Sequence, residues 1–320
     1  MAEVKRLIDH GLVDVNLPHG SDHDSPLHLA CIEGHLDVVQ CLIEHGYANV
    51  HLTDSYGSTC LMDACDHGHL DVVKFLVEHA KCDIRRTDDK GRSPIWSASF
   101  YGHVSVVRYL LSIPDDVKAN IDQPSCDAAS LLHVACHEGH LEVVKCLIED
   151  AKANVHFKDD LGYTPLHAAC IDGHLPVVKY LVKQAQANAE HQTHIGATPL
   201  LVACFHGRVE VVQYLIEQAK ANRYTVNNDG TSLLHAAASD GHLSTVQYLV
   251  EQAKLNAHQL NKNGASALWV ACSNGHLDVV RYLVERAKAD PNQATRKNVT
   301  PFAVAESKGH AALAEYLRSL

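Results

Sequence analysis

Thr164-Pro165-Leu166-His167-Ala168-Ala169, followed by Gly173-His174-Leu175, Val177-Val178 and Leu181, is one copy of a pattern that fills the chain. Its counterparts are punctuated by Gly34, Gly68, Gly102, Gly139, Gly173, Gly207, Gly241, Gly275 and Gly309, spaced 34 residues apart except for one interval of 37. A period of this size means stacked supersecondary units, each burying its apolar face only against its neighbours.

Within a copy the apolar residues recur at helical spacing on both sides of the glycine, which predicts two short helices. The first opens at a hydroxyl residue in every copy (Ser25, Thr59, Ser93, Ser130, Thr164, Thr198, Ser232, Ser266, Thr300), a side chain that can accept from an unpaired amide of the first turn. Proline follows at once in five copies, where its missing N–H costs nothing. The glycine ends that helix in the left-handed conformation. The second helix often starts with a carboxylate such as Asp37, Asp71 or Asp278, on the favourable side of the helix dipole. Polar stretches such as Asp159-Asp160-Leu161-Gly162 and Asn227-Asn228-Asp229-Gly230 read as hairpin turns between copies.

Helix, tight turn, helix and hairpin with T-P-L-H-x-A resembles the ankyrin repeat family over nearly the whole chain. The resemblance implies an all-α ankyrin-repeat solenoid, helix-turn-helix units joined by β-hairpin-like loops in a curved right-handed stack. The family period is 33, so most copies carry one extra residue in segments such as Ala151-Lys152-Ala153-Asn154. The organisation expected is a single domain over residues 1–320: a partial N-terminal unit over 1–24, eight full repeats over 25–298 and a C-terminal capping repeat over 299–320. Val4, Leu7 and Ile8 align with the second helix of a unit whose first helix is absent, and Ala311–Ser319 replaces the Val-Val pair by smaller, more polar residues. The 37-residue interval comes from Ser112-Ile113-Pro114-Asp115-Asp116, where proline stops a helix and the loop lengthens.

Thirty-eight acidic residues against 27 basic give a net charge of −11 with no basic stripe, which argues against nucleic acid as a partner. No apolar run approaches the ~20 residues of a membrane span, and no signal segment opens the chain; a cytoplasmic or nuclear monomer is the expectation. Six of eleven cysteines (Cys31, Cys65, Cys136, Cys170, Cys204, Cys272) share one repeat position beside an alanine present in every copy. Stacked helices place such positions roughly 8–10 Å apart, beyond a disulfide's reach, so they are expected as small core residues. Of 25 histidines, eight follow the repeat glycine and four stand in T-P-L-H; these are read as structural. Only His19/His23 and His191/His194 have ligand-like spacing, without the further ligands of a closed zinc site, so neither metal nor cofactor is expected. Histidines wedged neutral between repeats should make the stack sensitive to mild acid.

The chain lacks a Gly-rich phosphate loop, a nucleophile elbow and a His-Glu metal helix, so the function expected is non-catalytic: a scaffold holding a peptide or folded protein partner in a concave groove. The alternative is a targeting or substrate-recognition fragment of a larger protein. Partner binding is assigned to residues that vary between copies on the groove side: Phe100, Tyr101, His137, Ile171, Phe205 and His206 before the glycines, and Arg92, Leu161, Tyr163 and Ile195 at the hairpins. Aromatic and apolar side chains there are candidate anchors because the repeat lattice does not require them.

Overall fold

The computed structural model describes residues 2–10, 14–113, 121–123 and 129–320. Pro114, Asp115 and Asp116, expected to lengthen a loop, lie outside those residues, while Val104–Ser112 before them is helical. Among the described residues there are nineteen helices, and the only strand-like pairings are isolated bridges such as Thr53 with Thr59 and Val226 with Ser232. The expected all-α repeat solenoid is the architecture that forms.

The chain divides into two compact blocks, residues 1–159 and 160–320. In the N-terminal block the helix Ala2–Asp9 packs on Leu36–Glu44, and the first helices of the repeats are Pro26–Ile32, Cys60–Asp66, Pro94–Phe100 and Leu131–His137. In the C-terminal block they are Pro165–Asp172, Pro199–Phe205, Leu233–Ser239, Ala267–Asn274 and Pro301–Ser307. Inside each block every first helix packs on the second helix of its own repeat and on the first helix of the next.

The local rules read from the sequence are visible in the hydrogen bonds. Ser25, Thr59, Ser93, Thr198, Ser266 and Thr300 cap their helices through the hydroxyl, each accepting from the amide three residues on. In three copies the histidine of T-P-L-H completes a reciprocal capping box: the amides of Ser25, Thr164 and Ser232 donate to Nδ1 of His28, His167 and His235 at 3.3, 3.1 and 3.4 Å. In two of these the opposite ring nitrogen reaches the next repeat, His167 Nε2 donating to the Ala197 carbonyl at 3.1 Å and His235 Nε2 to Ala265 at 2.9 Å, whereas His28 Nε2 is buried without such a bond. Trp269 substitutes in the same role, its indole N–H donating to the Val299 carbonyl at 3.0 Å.

The second histidine family fills the gap beside the glycines. His69, His103 and His140 donate through Nε2 to the carbonyls of Ile32, Asp66 and Phe100 at 2.9, 2.7 and 2.8 Å. In the C-terminal block Arg208 takes the histidine's place and donates through Nε to the Ile171 carbonyl at 2.7 Å. Gly34 and Gly68 serve two needs at once: φ of 69° and 73°, and a bare Cα where any Cβ would strike the next repeat's imidazole. The alanine present in every copy is fully buried in eight of nine, and the leucines Leu76, Leu147, Leu181, Leu215, Leu249 and Leu283 are likewise sealed. Nine of the ten described cysteines are buried and none is disulfide-bonded.

The extra residue of the 34-residue period has a definite conformation. Tyr47, Lys81, Lys152, Gln186, Lys220, Lys254 and Lys288 all sit at φ between 53° and 61°, doing with a side chain what glycine ordinarily does after a helix. Lys152 partly compensates by donating through Nζ to the Glu149 carbonyl at 2.7 Å.

Candidate functional site

Hairpin tips in each block are held in register by backbone hydrogen bonds, so groove-side residues of successive repeats fall into rows. Asp89 N donates to Tyr56 O at 3.1 Å in the N-terminal block; His194 N to Leu161 O, Asn228 N to Ile195 O and Lys262 N to Asp229 O, at 2.9 to 3.0 Å, repeat the link in the C-terminal block. Each tip is itself set by a side-chain turn: Asp54 Oδ1 accepts from the amides of Tyr56 and Ser58 at 2.8 and 2.7 Å, and Asn227 Oδ1 from those of Asp229 and Thr231 at 2.9 Å.

In the C-terminal block these rows enclose a groove of about 350 Å³ between the hairpins and the first helices. It gathers four of the residues expected from the sequence, Tyr163, Ile195, Phe205 and His206, around a floor of Leu201, Val202 and Val270. Ile195 and Phe205 are 57% and 42% exposed, with the Phe205 ring edge-on to His206 at 5.3 Å. Burial, and then the charge of Arg208, hold the His206 imidazole below its usual range, favouring the neutral ring. Leu161 is exposed and Ile171 half-buried in the same block, and neither lines this groove.

The N-terminal block places its four expected residues differently. Phe100 is half-buried, stacked on Trp96 at 5.0 Å and edge-on to Tyr101 at 5.0 Å. Arg92 donates through Nε to Asp88 Oδ2 at 2.6 Å and lies 5.3 Å over the Trp96 ring. Tyr101 presents half its surface to solvent, and exposed His137 pairs through Nδ1 with Glu138 at 3.0 Å. Arg92 and Phe100 are thus already partnered within their own repeat, whereas Tyr101, like Tyr56 at a hairpin tip of the same block, stays open to solvent.

The sequence reading passed over the groove floor and, in a set of four carboxylates, all but Asp66, whose place just before Gly68 puts it in the groove-side row. Leu201 and Val202 lie in the middle of a first helix, where a binding contact and a packing contact look identical in sequence. The carboxylates are Asp24, Asp54, Asp63 and Asp66. The signal available for Asp63 was its position, which holds Leu29, Ser97, Val134, Ala168, Val202, Ala236, Val270 and Val304 in the other copies. Asp63 is 8% exposed, and burial, reinforced by Asp66, Asp54 and Asp24, pushes its carboxyl up to about 8. Among the described residues no group of three or more His, Cys, Asp or Glu has an arrangement that could hold a metal ion, and no helix is long and apolar enough to cross a membrane.

Comparison with known proteins agrees with this architecture. A model of ankyrin repeats, in sets of three copies, matches residues 2–88, 47–123, 115–193, 186–259 and 253–319. A 65-residue stretch is 42% identical to the serine/threonine-protein kinase VIK of Arabidopsis thaliana, covering 20% of this chain and 14% of the kinase. With overlapping matches running from residue 2 to residue 319, and the capping, glycine and histidine geometry above, the chain belongs to the ankyrin-repeat family.

Proposed function

We propose that this protein is a non-catalytic interaction module that holds a peptide or a folded protein partner on its groove side, with the C-terminal block as its apolar anchor. Family membership supports an interaction role. The observation that carries the site is the groove in which Phe205 and Ile195 stay exposed beside Tyr163, Leu201 and Val202. Its volume of about 350 Å³ suits one or two bulky side chains of a partner. Large apolar side chains that the fold leaves uncovered are where association gains most. A cytoplasmic monomer, and a single functional domain over residues 1–320, belong to the same proposal.

Affinity capture from lysate with the intact chain, beside Phe205→Ala/Ile195→Ala, tests the reading. The double variant should lose the bound proteins, while Ser273→Ala/Ser307→Ala, on the same side near the C-terminus, should keep them. Identical recovery with the groove variant removes the assignment. A second reading, that these repeats are the recognition part of a longer protein, is supported by the similarity of one stretch to 14% of a protein kinase.

A further inference from the structure

The two blocks differ sharply in charge. Residues 1–159 hold 25 of the 38 acidic residues and 13 of the 27 basic ones, a net −12, whereas residues 160–320 hold 13 and 14, a net +1. Repeat register places part of that excess on the groove side. Asp24 corresponds to Tyr163, Ala197 and Thr231; Asp54 to Asn227 and Asn261; Asp63 to Val202, Ala236 and Val270; and Asp66 to Phe205 and Ser239. Every one of those counterparts lines the groove of the C-terminal block. The N-terminal block therefore carries four carboxylates where the C-terminal block has a mostly apolar lining.

A second observation separates this cluster from a solvated acidic face. Asp63 is more than nine-tenths buried, and its Oδ2 has no hydrogen-bond partner; Asp66 Oδ1 is buried and unpartnered as well. A buried carboxyl oxygen without a donor is destabilising, and the neighbours Asp24, Asp54 and Asp66 around Asp63 are acceptors too. The Ser97 hydroxyl serves the Asp66 carboxyl, and burial still holds that group above its usual range. The cluster has acceptors in excess of donors.

We propose that the groove side of the N-terminal block receives a lysine or arginine side chain of a basic peptide, its cationic head donating to Asp63 and Asp66 and flanked by Asp24 and Asp54. This deepens the interaction reading above and rests on it: the C-terminal block offers apolar anchorage, the N-terminal block a cation site. An arriving cation supplies the missing donors and favours the ionised carboxyl, so binding releases a proton from Asp63. Other charged or titratable groups around the helix Cys60–Asp66 are Asp24, His28 and Glu33 on the preceding first helix and its ends. Asp88, Arg92 and Tyr101 flank the following one, and His67, His69 and Asp71 lie in the same repeat. Arg92 is held by Asp88 and, with His67, acts on Asp66 through its charge; Asp63 Oδ2 and Asp66 Oδ1 still have no donor, which leaves them to an external cation.

The probe is a fluorescein-labelled Gly/Ser peptide carrying two arginines, with its neutral citrulline counterpart, titrated onto the full chain at low salt. The arginine peptide should bind about tenfold tighter than the citrulline one, and Asp63→Asn/Asp66→Asn should lose about tenfold, the range seen for desolvated charge pairs. Asp37→Asn/Asp71→Asn removes two carboxylates from exposed positions of the second helices and should change affinity less than about twofold. Affinity should rise between pH 6.5 and 8.5, with proton uptake by buffer seen calorimetrically. Equal losses from both pairs, equal binding of the citrulline peptide, or no binding overturns the proposal. Asp63→Val, which installs the residue found at Val202, checks that any loss does not come from misfolding. The outcome is independent of Phe205→Ala/Ile195→Ala, which reports on the apolar groove alone.

Discussion

Lys220 is the simplest place to see how one residue departs from its local preference. It sits at φ 58°, exposed, three residues past the helix Val209–Glu217, and its neighbour Ala221 donates to the Leu215 carbonyl at 2.9 Å. A side chain in the left-handed region costs roughly 1–2 kcal/mol, while glycine there loses more entropy on folding. The balance predicts that Lys220→Gly stabilises the C-terminal block by about 0.5–1 kcal/mol, read as a higher urea midpoint at unchanged slope. A destabilised variant would show that the lysine makes an interaction outweighing its backbone strain. The residue scale also explains why Asp63 was not legible as a site. A single carboxylate in an apolar column announces itself only as an exception, and its missing donor is visible only once its neighbours Asp24, Asp54 and Asp66 are placed around it.

Second helices of adjacent repeats are tied by a tyrosine and a glutamate 31 residues apart. The hydroxyls of Tyr109, Tyr248, Tyr282 and Tyr316 donate to Glu78, Glu217, Glu251 and Glu285, each at 3.0 Å. Tyr214 breaks the series: its partner position is Lys183, whose ammonium lies 5.6 Å over the ring, and the Tyr214 hydroxyl is buried with no hydrogen bond. Lys183→Glu should restore the tie between Leu175–Lys183 and Val209–Glu217. The expected gain is roughly 0.5–1 kcal/mol after losing the cation–π contact. In a double-mutant cycle, Tyr214→Phe should be nearly neutral in the native background and costly in the Lys183→Glu background; zero coupling would mean that the two helices cannot approach as the other pairs do.

At the scale of the molecule, the two blocks should differ in their answer to acid. His235 in the C-terminal block is held below its usual range by burial, outweighing its hydrogen bond to Ala265. The unfolded chain therefore binds more protons, and stability present above about pH 6.5 is lost as the pH falls. In the N-terminal block His28 behaves likewise, but Asp63, raised to about 8, has the reverse sign: its folded form holds a proton that the unfolded chain gives up, so stability returns as the pH drops below 8. Hydrogen exchange, corrected for intrinsic rate, should show protection of Leu233–Ser239 falling between pH 7.5 and 5.5 while that of Cys60–Asp66 holds or rises. Parallel loss in both helices would contradict this account. The expectation of uniform acid loosening from the sequence is thereby divided, because burial of an acid in one block opposes burial of imidazoles in both. What the sequence alone determined was the repeat itself: hydroxyl caps, glycine stops and the alanine and leucine columns follow from local backbone rules and a 34-residue period. Tertiary structure decided which variable residues remain available. Phe100 and Arg92 are drawn into their own repeat by Trp96 and Asp88, while Phe205 and Ile195 stay open around Leu201 and Val202. The physical reason is that helix caps and periodicity act over one turn of chain, whereas desolvation and contact depend on neighbours a whole repeat away.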